Sequence, residues 1–421
     1  MALILFLPYA HQLGTTFGLI ELANIFSSLG DDIVFAGEGP YIKLAKTSGF
    51  KVVKLIEIPF KEYRKVVDSG NINFHNKTTL EGHVKEELNL LKKLKPDLVI
   101  TQGRTSTIIG CRILNIPYIS LTVSFLTEYY DLPYEIPETF SLFPLTKIPL
   151  LGQIMNNNAK RFVVSKAKNA AKVYNVILRN YKMPPIKSMY DAYAGEYLTL
   201  IPESRLLFPI NNLAPKNKYI FTGPLQNRTD IHPIPDWITK TKEKDGKFIY
   251  LSMGSSSDKL YPYMLGRLSS IFNKKENYSI ITNSCNLLKK ELPLPNNVFL
   301  TNTAPARIMM QLADITICHG GKGTIYDSLL NRVPIFGIPQ QAEQELNLRR
   351  IKTLGLGDYI LSTKIRKISD QELFQKIDNL INNKKIKKQL EYYSVEIHKE
   401  MQALNQIIED IHFTINESKN L

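Results

Sequence analysis

Short apolar runs alternate with helical patterns of about a dozen residues along most of the chain, and this alternation is the strongest constraint on its fold. The run ALILFLPYA is followed by GLIELANIFSSLG, whose apolar residues recur at helical spacing, and then by the apolar run DIVFAGEG. Strands that are separated by helices pair in parallel, because a helical crossover returns the chain to the same end of the sheet. The sequence therefore predicts an α/β protein built on doubly wound parallel sheets.

A stretch rich in proline, glycine and polar residues, YIFTGPLQNRTDIHPIPDWI, divides this pattern into two similar halves. Beyond the second half, the chain reads as helical from residue 369 onward, and Ser369-x-x-Glu372 has the pattern of a capping box. We therefore expect an N-terminal domain (1–222), an interdomain linker (223–243), a C-terminal domain (244–395) and a last helix (396–421) that crosses back to the N-terminal domain.

The spacing of the cysteines and the net charge limit which compartment and which binding partners we expect. The three cysteines are widely spaced, so they suggest neither a metal site nor a disulfide framework, and we expect a cytoplasmic protein. No apolar run approaches the roughly 20 residues that a spanning helix needs. The formal net charge of +14 favours anionic partners, such as sugar nucleotides or anionic lipids.

Much of this positive charge lies in residues 147–187, because no acidic residue occurs between Glu138 and Asp191. The simpler interpretation is a solvated surface, and the alternative is peripheral contact with an anionic membrane. Nucleic-acid binding ranks below both, because no recognition motif accompanies the charge. The basic residues are Lys147, Lys160, Arg161, Lys166, Lys168, Lys172, Arg179, Lys182 and Lys187.

A glycine loop between a strand and a helix marks a ligand site. The segment DITICHGGKGTIYDSLL places His319 and three glycines at the carboxyl end of a predicted strand, where open α/β sheets bind their ligands. Glycines there let backbone N–H groups approach a phosphate, and the following helix adds the positive end of its dipole. The glycines alone would also fit an ordinary turn, but the combination with Asp327, Glu343 and Gln344 favours a sugar-nucleotide site.

The segment HGGKGTIYDSLLNRVPIFGIPQQAEQELN resembles the nucleotide-sugar signature of the inverting family 1 glycosyltransferases, which have the GT-B fold. The resemblance covers nearly the whole chain, is strongest in residues 248–357, and implies two Rossmann-like domains that face a crevice. The matching positions are His319, Gly320, Gly321, Gly323, Thr324, Leu329, Val333, Pro334, Pro339, Gln344 and Asn347.

The resemblance implies a role for each matching position in binding the donor. The diphosphate would be bound by Gly254, Ser255, His319, Gly321, Gly323 and Thr324, and the base by Ala304 and Pro305. Asp327 stands where the family holds the ribose with Glu. Glu343 and Gln344 stand where Asp-Gln holds the transferred sugar. No metal is expected, because the sequence has no Asp-x-Asp pair.

The same resemblance implies a histidine base just after the first strand, and here His11 is the candidate. An ungapped alignment instead places Thr15 at the usual position of that histidine. Gln102 occupies the place of the aspartate that orients and supports the base in many relatives. An amide can still orient an imidazole, but it supplies no charge to the imidazolium.

These observations predict a metal-independent, inverting glycosyltransferase that moves a sugar from a UDP- or dTDP-sugar to a small lipophilic or lipid acceptor. Within the same fold, the alternative is a nucleotide-sugar epimerase of the non-hydrolysing type, which the Glu-Gln pair argues against. Gln102 and the register of His11 also leave open a non-catalytic homologue that binds a sugar nucleotide.

Overall fold

The computed structural model describes residues 1–68, 75–138, 140, 142–225, 246–254, 260–273, 275, 278–283, 297–301 and 306–418. The chain forms two compact units. Unit 1 consists of Met1–Glu135, Leu150–Arg228 and Lys399–Leu421, and unit 2 of Ile136–Pro149 and Thr229–His398.

Unit 1 contains a seven-stranded sheet in the order β3-β2-β1-β4-β5-β6-β7, and every adjacent pair is parallel. Its central strands are buried because helices cover both faces. The strands are β1 (Leu3–Pro8), β2 (Asp32–Ala36), β3 (Lys51–Val53), β4 (Leu98–Gln102), β5 (Tyr118–Leu121), β6 (Leu198–Ile201) and β7 (Tyr219–Phe221). The helices before residue 115 are α1 (Leu13–Ser28), α2 (Lys43–Thr47), α3 (Phe60–Asp68), α4 (Lys77–Leu94) and α5 (Thr107–Leu114).

The longest helix among the described residues, α6 (Pro149–Asn180), has 32 residues, and no element was predicted there from the sequence. Its inner face buries small residues and Tyr174 against the core of unit 1. The short helix α7 (Met189–Tyr193) follows, and Ser188 and Asp191 form a capping box at its start.

Unit 2 contains a six-stranded parallel sheet in the order β10-β9-β8-β11-β12-β13. The strands are β8 (Lys247–Ser252), β9 (Tyr278–Asn283), β10 (Val298–Thr301), β11 (Ile315–Cys318), β12 (Ile335–Gly337) and β13 (Gly357–Tyr359). The helices between and after them are α8 (Leu260–Asn273), α9 (Ala306–Leu312), α10 (Lys322–Leu330), α11 (Ala342–Thr353) and α12 (Asp370–Asn382). These two sheets confirm the predicted α/β class with doubly wound parallel sheets.

The end of the chain is helical, as predicted, in α13 (Lys384–Gln402) and α14 (Leu404–Ser418). The Ser369 side chain caps α12 by accepting a hydrogen bond from the Glu372 N–H at 3.1 Å. The apolar face of α14 packs into the core of unit 1 beside α1, and His412 pairs with Asp31 at 2.7 Å. The last 23 residues of the chain thus belong to unit 1.

Candidate donor and acceptor sites

The donor residues predicted in unit 2 lie where the strand order reverses. Strands β8 and β11 are neighbours, with Ser252 opposite Cys318, although β9 and β10 extend the sheet on one side and β12 and β13 on the other. Loops that leave two such strands diverge to opposite faces and open a binding crevice between them. Gly254 follows the first strand and His319 follows the second, so the fold brings them together.

The His319 ring lies between two glycines. A β-carbon built on Gly254 would lie 2.6 Å from Cε1 of His319, and one built on Gly321 would lie 2.6 Å from its Nε2. Any side chain at these two positions would displace the ring. Gly254 also has a φ of 73°, in the left-handed region that glycine adopts at little cost. The two glycines therefore determine where the imidazole lies.

Burial lowers the pKa of His319, and a 3.5 Å approach of Nδ1 to the Ser252 carbonyl opposes this shift only in part. The imidazole is therefore neutral at pH 7 in the free protein. An anion beside the ring would favour its protonated form, which has two N–H donors. His319 is thus suited to bind a diphosphate.

The start of α10 provides further hydrogen-bond donors. Gly321 is the residue before the helix, so the N–H groups of the first turn, which include Gly323 and Thr324, have no partner within the helix. No atom lies within 4 Å of a β-carbon built on Gly323, so the backbone there is open to a ligand. Asp327 is half-buried four residues after Gly323, on the same face of the helix.

The predicted sugar-binding pair lies at the start of α11. Glu343 is exposed in the first turn, whereas Gln344 is buried. The Oε1 of Gln344 accepts hydrogen bonds from the N–H groups of Gln340 at 2.9 Å and Gln341 at 3.2 Å, which closes a capping box. These bonds use the side-chain oxygen of Gln344 and leave its NH2 group available to a ligand.

Two residues that were not predicted as site residues hold the glycine loop against α11. Asn347 donates from Nδ2 to the Gly320 carbonyl at 3.1 Å, and Leu348 packs where side chains on Gly320 and Gly337 would otherwise lie. Asn347 matches the family signature, so the motif carried a signal for it. No sequence pattern indicated Leu348, because its contact with Gly337 is made between two separate elements, α11 and β12.

Three predicted donor residues, Ser255, Ala304 and Pro305, lie outside the described residues. Among the residues that are described, no group of three or more His, Cys, Asp or Glu side chains could hold a metal ion.

In unit 1, the strand order reverses between β1 and β4, and His11 follows β1. Its side chain is buried, with 5% of its surface exposed, and is surrounded by the rings of Tyr9, Phe60 and Tyr63. Nε2 lies 2.6 Å from the Ile58 carbonyl and therefore carries the proton of the neutral ring. Nδ1 is then the basic atom, and no hydrogen-bond partner for it occurs among the described residues.

The charged neighbour of His11 is Glu57, which the sequence analysis did not single out. Oε2 of Glu57 lies 3.5 Å from Nε2 of His11, whereas Oε1 of Gln102 lies beside Gly18 of α1 and has no hydrogen-bond partner. Gln102 and His11 share no hydrogen bond in the described part of the chain. The predicted contact between them is therefore not formed, because the Gln102 side chain points towards α1.

Glu57 belongs to a buried charge network. Nη1 of Arg104 lies 3.4 Å from Glu57, and Nε of Arg104 lies 2.6 Å from Oε1 of Glu87, which also accepts from Ser106 at 2.5 Å. Burial raises the pKa of Glu57 to about 7, although Arg104 opposes the shift. Burial also lowers the pKa of His11 below its ordinary value. Burial thus disfavours the charged forms of both side chains.

Comparison with known proteins finds similarity to glycosyltransferases. The profile of the family described as "UDP-glucoronosyl and UDP-glucosyl transferase" matches residues 306–415, which include α10, α11 and the glycine loop. The chain is 24% identical to a "PGL/p-HBAD biosynthesis glycosyltransferase" of Mycobacterium tuberculosis over 369 residues, covering 84% of this chain and 79% of the relative.

Two further similarities, one in sequence and one in structure, cover different shares of the chain. The chain is 24% identical to the human "2-hydroxyacylsphingosine 1-beta-galactosyltransferase", over 54% of this chain and 41% of that protein. The structure of the spinosyn rhamnosyltransferase SpnG complexed with thymidine diphosphate superimposes with a TM-score of 0.68 at 12% identity, covering 97% of this chain and 100% of the other.

The fold and the glycine loop define a glycosyltransferase with the GT-B fold, composed of two Rossmann-like units. Relatives that are named glycosyltransferases match most of the chain, and the family profile covers its donor loop. In its glycine loop and the helices that follow, the chain is similar to the family described as UDP-glucoronosyl and UDP-glucosyl transferases.

Proposed function

We propose that this glycosyltransferase moves a sugar from a UDP- or dTDP-sugar to a small lipophilic or lipid acceptor, with inversion and without a metal ion. The observation that carries the proposal is the arrangement around His319, where two glycines fix the imidazole beside the open start of α10. The family description supports UDP, and the SpnG complex supports a thymidine diphosphate.

The diphosphate would be the leaving group, and its negative charge grows as the bond to the anomeric carbon breaks. His319 and the N–H groups of Gly321, Gly323 and Thr324 would donate to its oxygens, and the helix dipole of α10 would add a favourable field. Gly254 and Ser255 would complete the phosphate loop, and Ala304 and Pro305 would line the base pocket.

The sugar would be oriented by α10 and α11. The Asp327 carboxylate would accept from the ribose hydroxyls, and Glu343 with the NH2 group of Gln344 would contact the transferred sugar. Glu343 is one methylene longer than the aspartate usual in the family, so its carboxylate would favour a different hydroxyl arrangement.

In our proposal, Nδ1 of His11 accepts the acceptor's proton while the acceptor oxygen attacks the anomeric carbon opposite the diphosphate. One displacement inverts that carbon. Glu57 would stabilise the resulting imidazolium, which the uncharged amide of Gln102 could not do. Because Nδ1 is buried, the acceptor would have to reach it by moving the residues that cover it.

The acceptor class is supported by a relative named 2-hydroxyacylsphingosine 1-beta-galactosyltransferase and by a structurally similar rhamnosyltransferase complexed with the spinosyn aglycone. We place the protein in the cytoplasm, which the buried free thiols of Cys111 and Cys318 support. The non-hydrolysing epimerase receives no support from these comparisons. A non-catalytic homologue would bind donor without turnover.

A screen of sugar nucleotides tests the proposal. We expect a UDP- or dTDP-sugar to raise the melting temperature of the protein, because ligand at about 100 times its Kd adds roughly 2.7 kcal/mol to the free energy of unfolding. The stabilising sugar nucleotide is then incubated with lipophilic alcohols and phenols, and products are measured by mass spectrometry. A protein that binds donor but glycosylates none of them would instead be the non-catalytic homologue.

We also expect transfer to survive excess EDTA. N–H donors and one imidazole would stabilise the leaving diphosphate, so no divalent ion is required. The initial rate is measured before and after chelation, and again after adding Mg²⁺ or Mn²⁺. Activity that EDTA abolishes and either ion restores would show that the leaving group is stabilised by metal.

A further inference from the structure

The outer face of α6 carries large apolar side chains in solvent. Leu150 is 73% exposed, Ile154 is 50% exposed and Phe162 is 53% exposed. The opposite face of the helix is buried against the core of unit 1 through Ala167, Ala170, Ala171, Tyr174 and Leu178. One side of this helix thus packs against the core of unit 1, and the opposite side exposes apolar side chains to solvent.

Exposed basic residues continue the same outer face. Positions 150, 154, 161, 168, 172 and 179 are separated by four or seven residues, so they form one line along the helix. Two apolar residues begin this line, and Arg161, Lys168, Lys172 and Arg179 continue it. We call these six residues, with the neighbouring Phe162, the α6 outer face.

No acidic residue in the same segment offsets the positive charge of the α6 outer face, since no Asp or Glu occurs between Glu138 and Asp191. Side chains of this kind suit an interface in which cations meet anionic groups and apolar groups leave water. No helix among the described residues is long and apolar enough to cross a membrane. A helix of 32 residues is about 48 Å long, enough to lie along a bilayer surface.

We infer that the α6 outer face docks on the surface of an anionic lipid bilayer, with the helix lying in the interface. The basic side chains contact lipid phosphates, while Leu150, Ile154 and Phe162 insert among the first acyl carbons. Exposed Leu, Ile and Phe favour this partner over a nucleic acid, whose backbone offers no apolar surface. The inference goes beyond the proposed function and holds whichever sugar is transferred.

Vesicle co-sedimentation tests the inference directly. Full-length protein is mixed with vesicles of phosphatidylcholine alone or with phosphatidylglycerol added, at low and at high salt. We expect binding to the anionic vesicles at low salt and much weaker binding at high salt, because salt screens surface charge. Equal binding to both vesicle types, or no binding to either, would overturn the inference.

Paired variants identify the face. Lys168→Glu with Lys172→Glu should lower the partition coefficient by roughly 30-fold or more, because two basic residues that each contribute about 1 kcal/mol are lost and the new carboxylates are repelled. Lys387→Glu with Lys388→Glu on the exposed surface of α13 makes the same change of charge elsewhere and should lower it much less. Equal loss in the two double variants would mean that net charge, not this face, drives binding.

Ile154→Glu with Phe162→Glu tests the apolar contribution and should also reduce vesicle binding, by tenfold or more. All variants should bind the stabilising sugar nucleotide as the wild type does, which shows that they are folded. Light scattering of the wild type provides a further check. A dimer that Ile154→Glu dissociates, together with absent vesicle binding, would assign the face to a second copy of the chain and overturn the inference.

Discussion

Replacing His11 with Ala lowers turnover by about 10²–10⁴-fold if its imidazole is the general base, which is the usual contribution of such a group. Donor affinity should change little, because the predicted donor residues belong to unit 2 and His11 to unit 1. The measurement is the initial rate at saturating donor, together with calorimetry of nucleoside diphosphate binding. His398→Ala, at an exposed position of α13, is the matched control and should leave both unchanged.

A second substitution separates chemistry from folding, because His11 is buried and its loss could destabilise unit 1. His11→Gln keeps a side-chain NH2 that can donate to the Ile58 carbonyl but cannot take up a proton. It should restore the melting temperature lost in His11→Ala without restoring turnover. Near-full turnover in His11→Gln would make His11 a structural residue, and Thr15 or a group on the acceptor would need to be considered.

The role of Glu57 is tested through the acidity of the acceptor. Glu57→Gln keeps the shape of the side chain but removes the charge beside the imidazole, so turnover with alcohol acceptors should fall by about tenfold or more. Phenol acceptors ionise more easily and should lose less. An equal loss with both acceptor classes would mean that Glu57 acts on the stability of the fold, through Arg104, and not on the base.

Donor binding should be sensitive to changes in the glycine loop. His319→Ala is expected to weaken nucleoside diphosphate binding by about tenfold to a hundredfold, because hydrogen bonds to charged groups contribute about 1.5–3 kcal/mol. Gly323→Ala should weaken it by tenfold or more, since the added methyl would occupy the space that the diphosphate needs. Calorimetry with UDP and dTDP measures both effects.

The Gly323→Ala variant should at the same time become more stable. No atom lies near the new methyl group in the free protein, and Ala is favoured over Gly within a helix by up to about 1 kcal/mol. Gly266→Ala, in α8 of the same unit, has equally open surroundings and is the matched control. It should gain similar stability and keep full affinity. Unchanged affinity in Gly323→Ala would mean that the phosphates do not approach the loop there.

The sequence predicted the elements around the glycine loop because they are encoded by neighbouring residues. From Ile315 to Thr353, a strand, a glycine loop, a helix, a strand and a second helix follow one another within 39 residues. Each element is fixed by local patterns of apolar and glycine residues. Since carboxyl ends of parallel strands share one edge, their order along the chain predicted that the His319 loop and the start of α11 lie at that edge.

Contacts between distant segments were decided only by the tertiary structure. Gly254 bounds the ring of His319 across 65 residues, and Glu57 reaches His11 across 46, whereas the expected partner Gln102 turns towards α1. No periodicity in either segment specifies which side chain contacts the other.

The buried face of α6 was likewise decided by the tertiary structure. Exposed apolar residues obscure the amphipathic pattern of this helix until the core of unit 1 shows which face is buried. The sequence by itself thus determined the α/β class, the strand–loop–helix unit and its resemblance to glycosyltransferases, because these depend on residues close together in the chain. The packing of unit 1 decided the partner of His11 and the free face of α6, because both depend on how remote elements fit against one another.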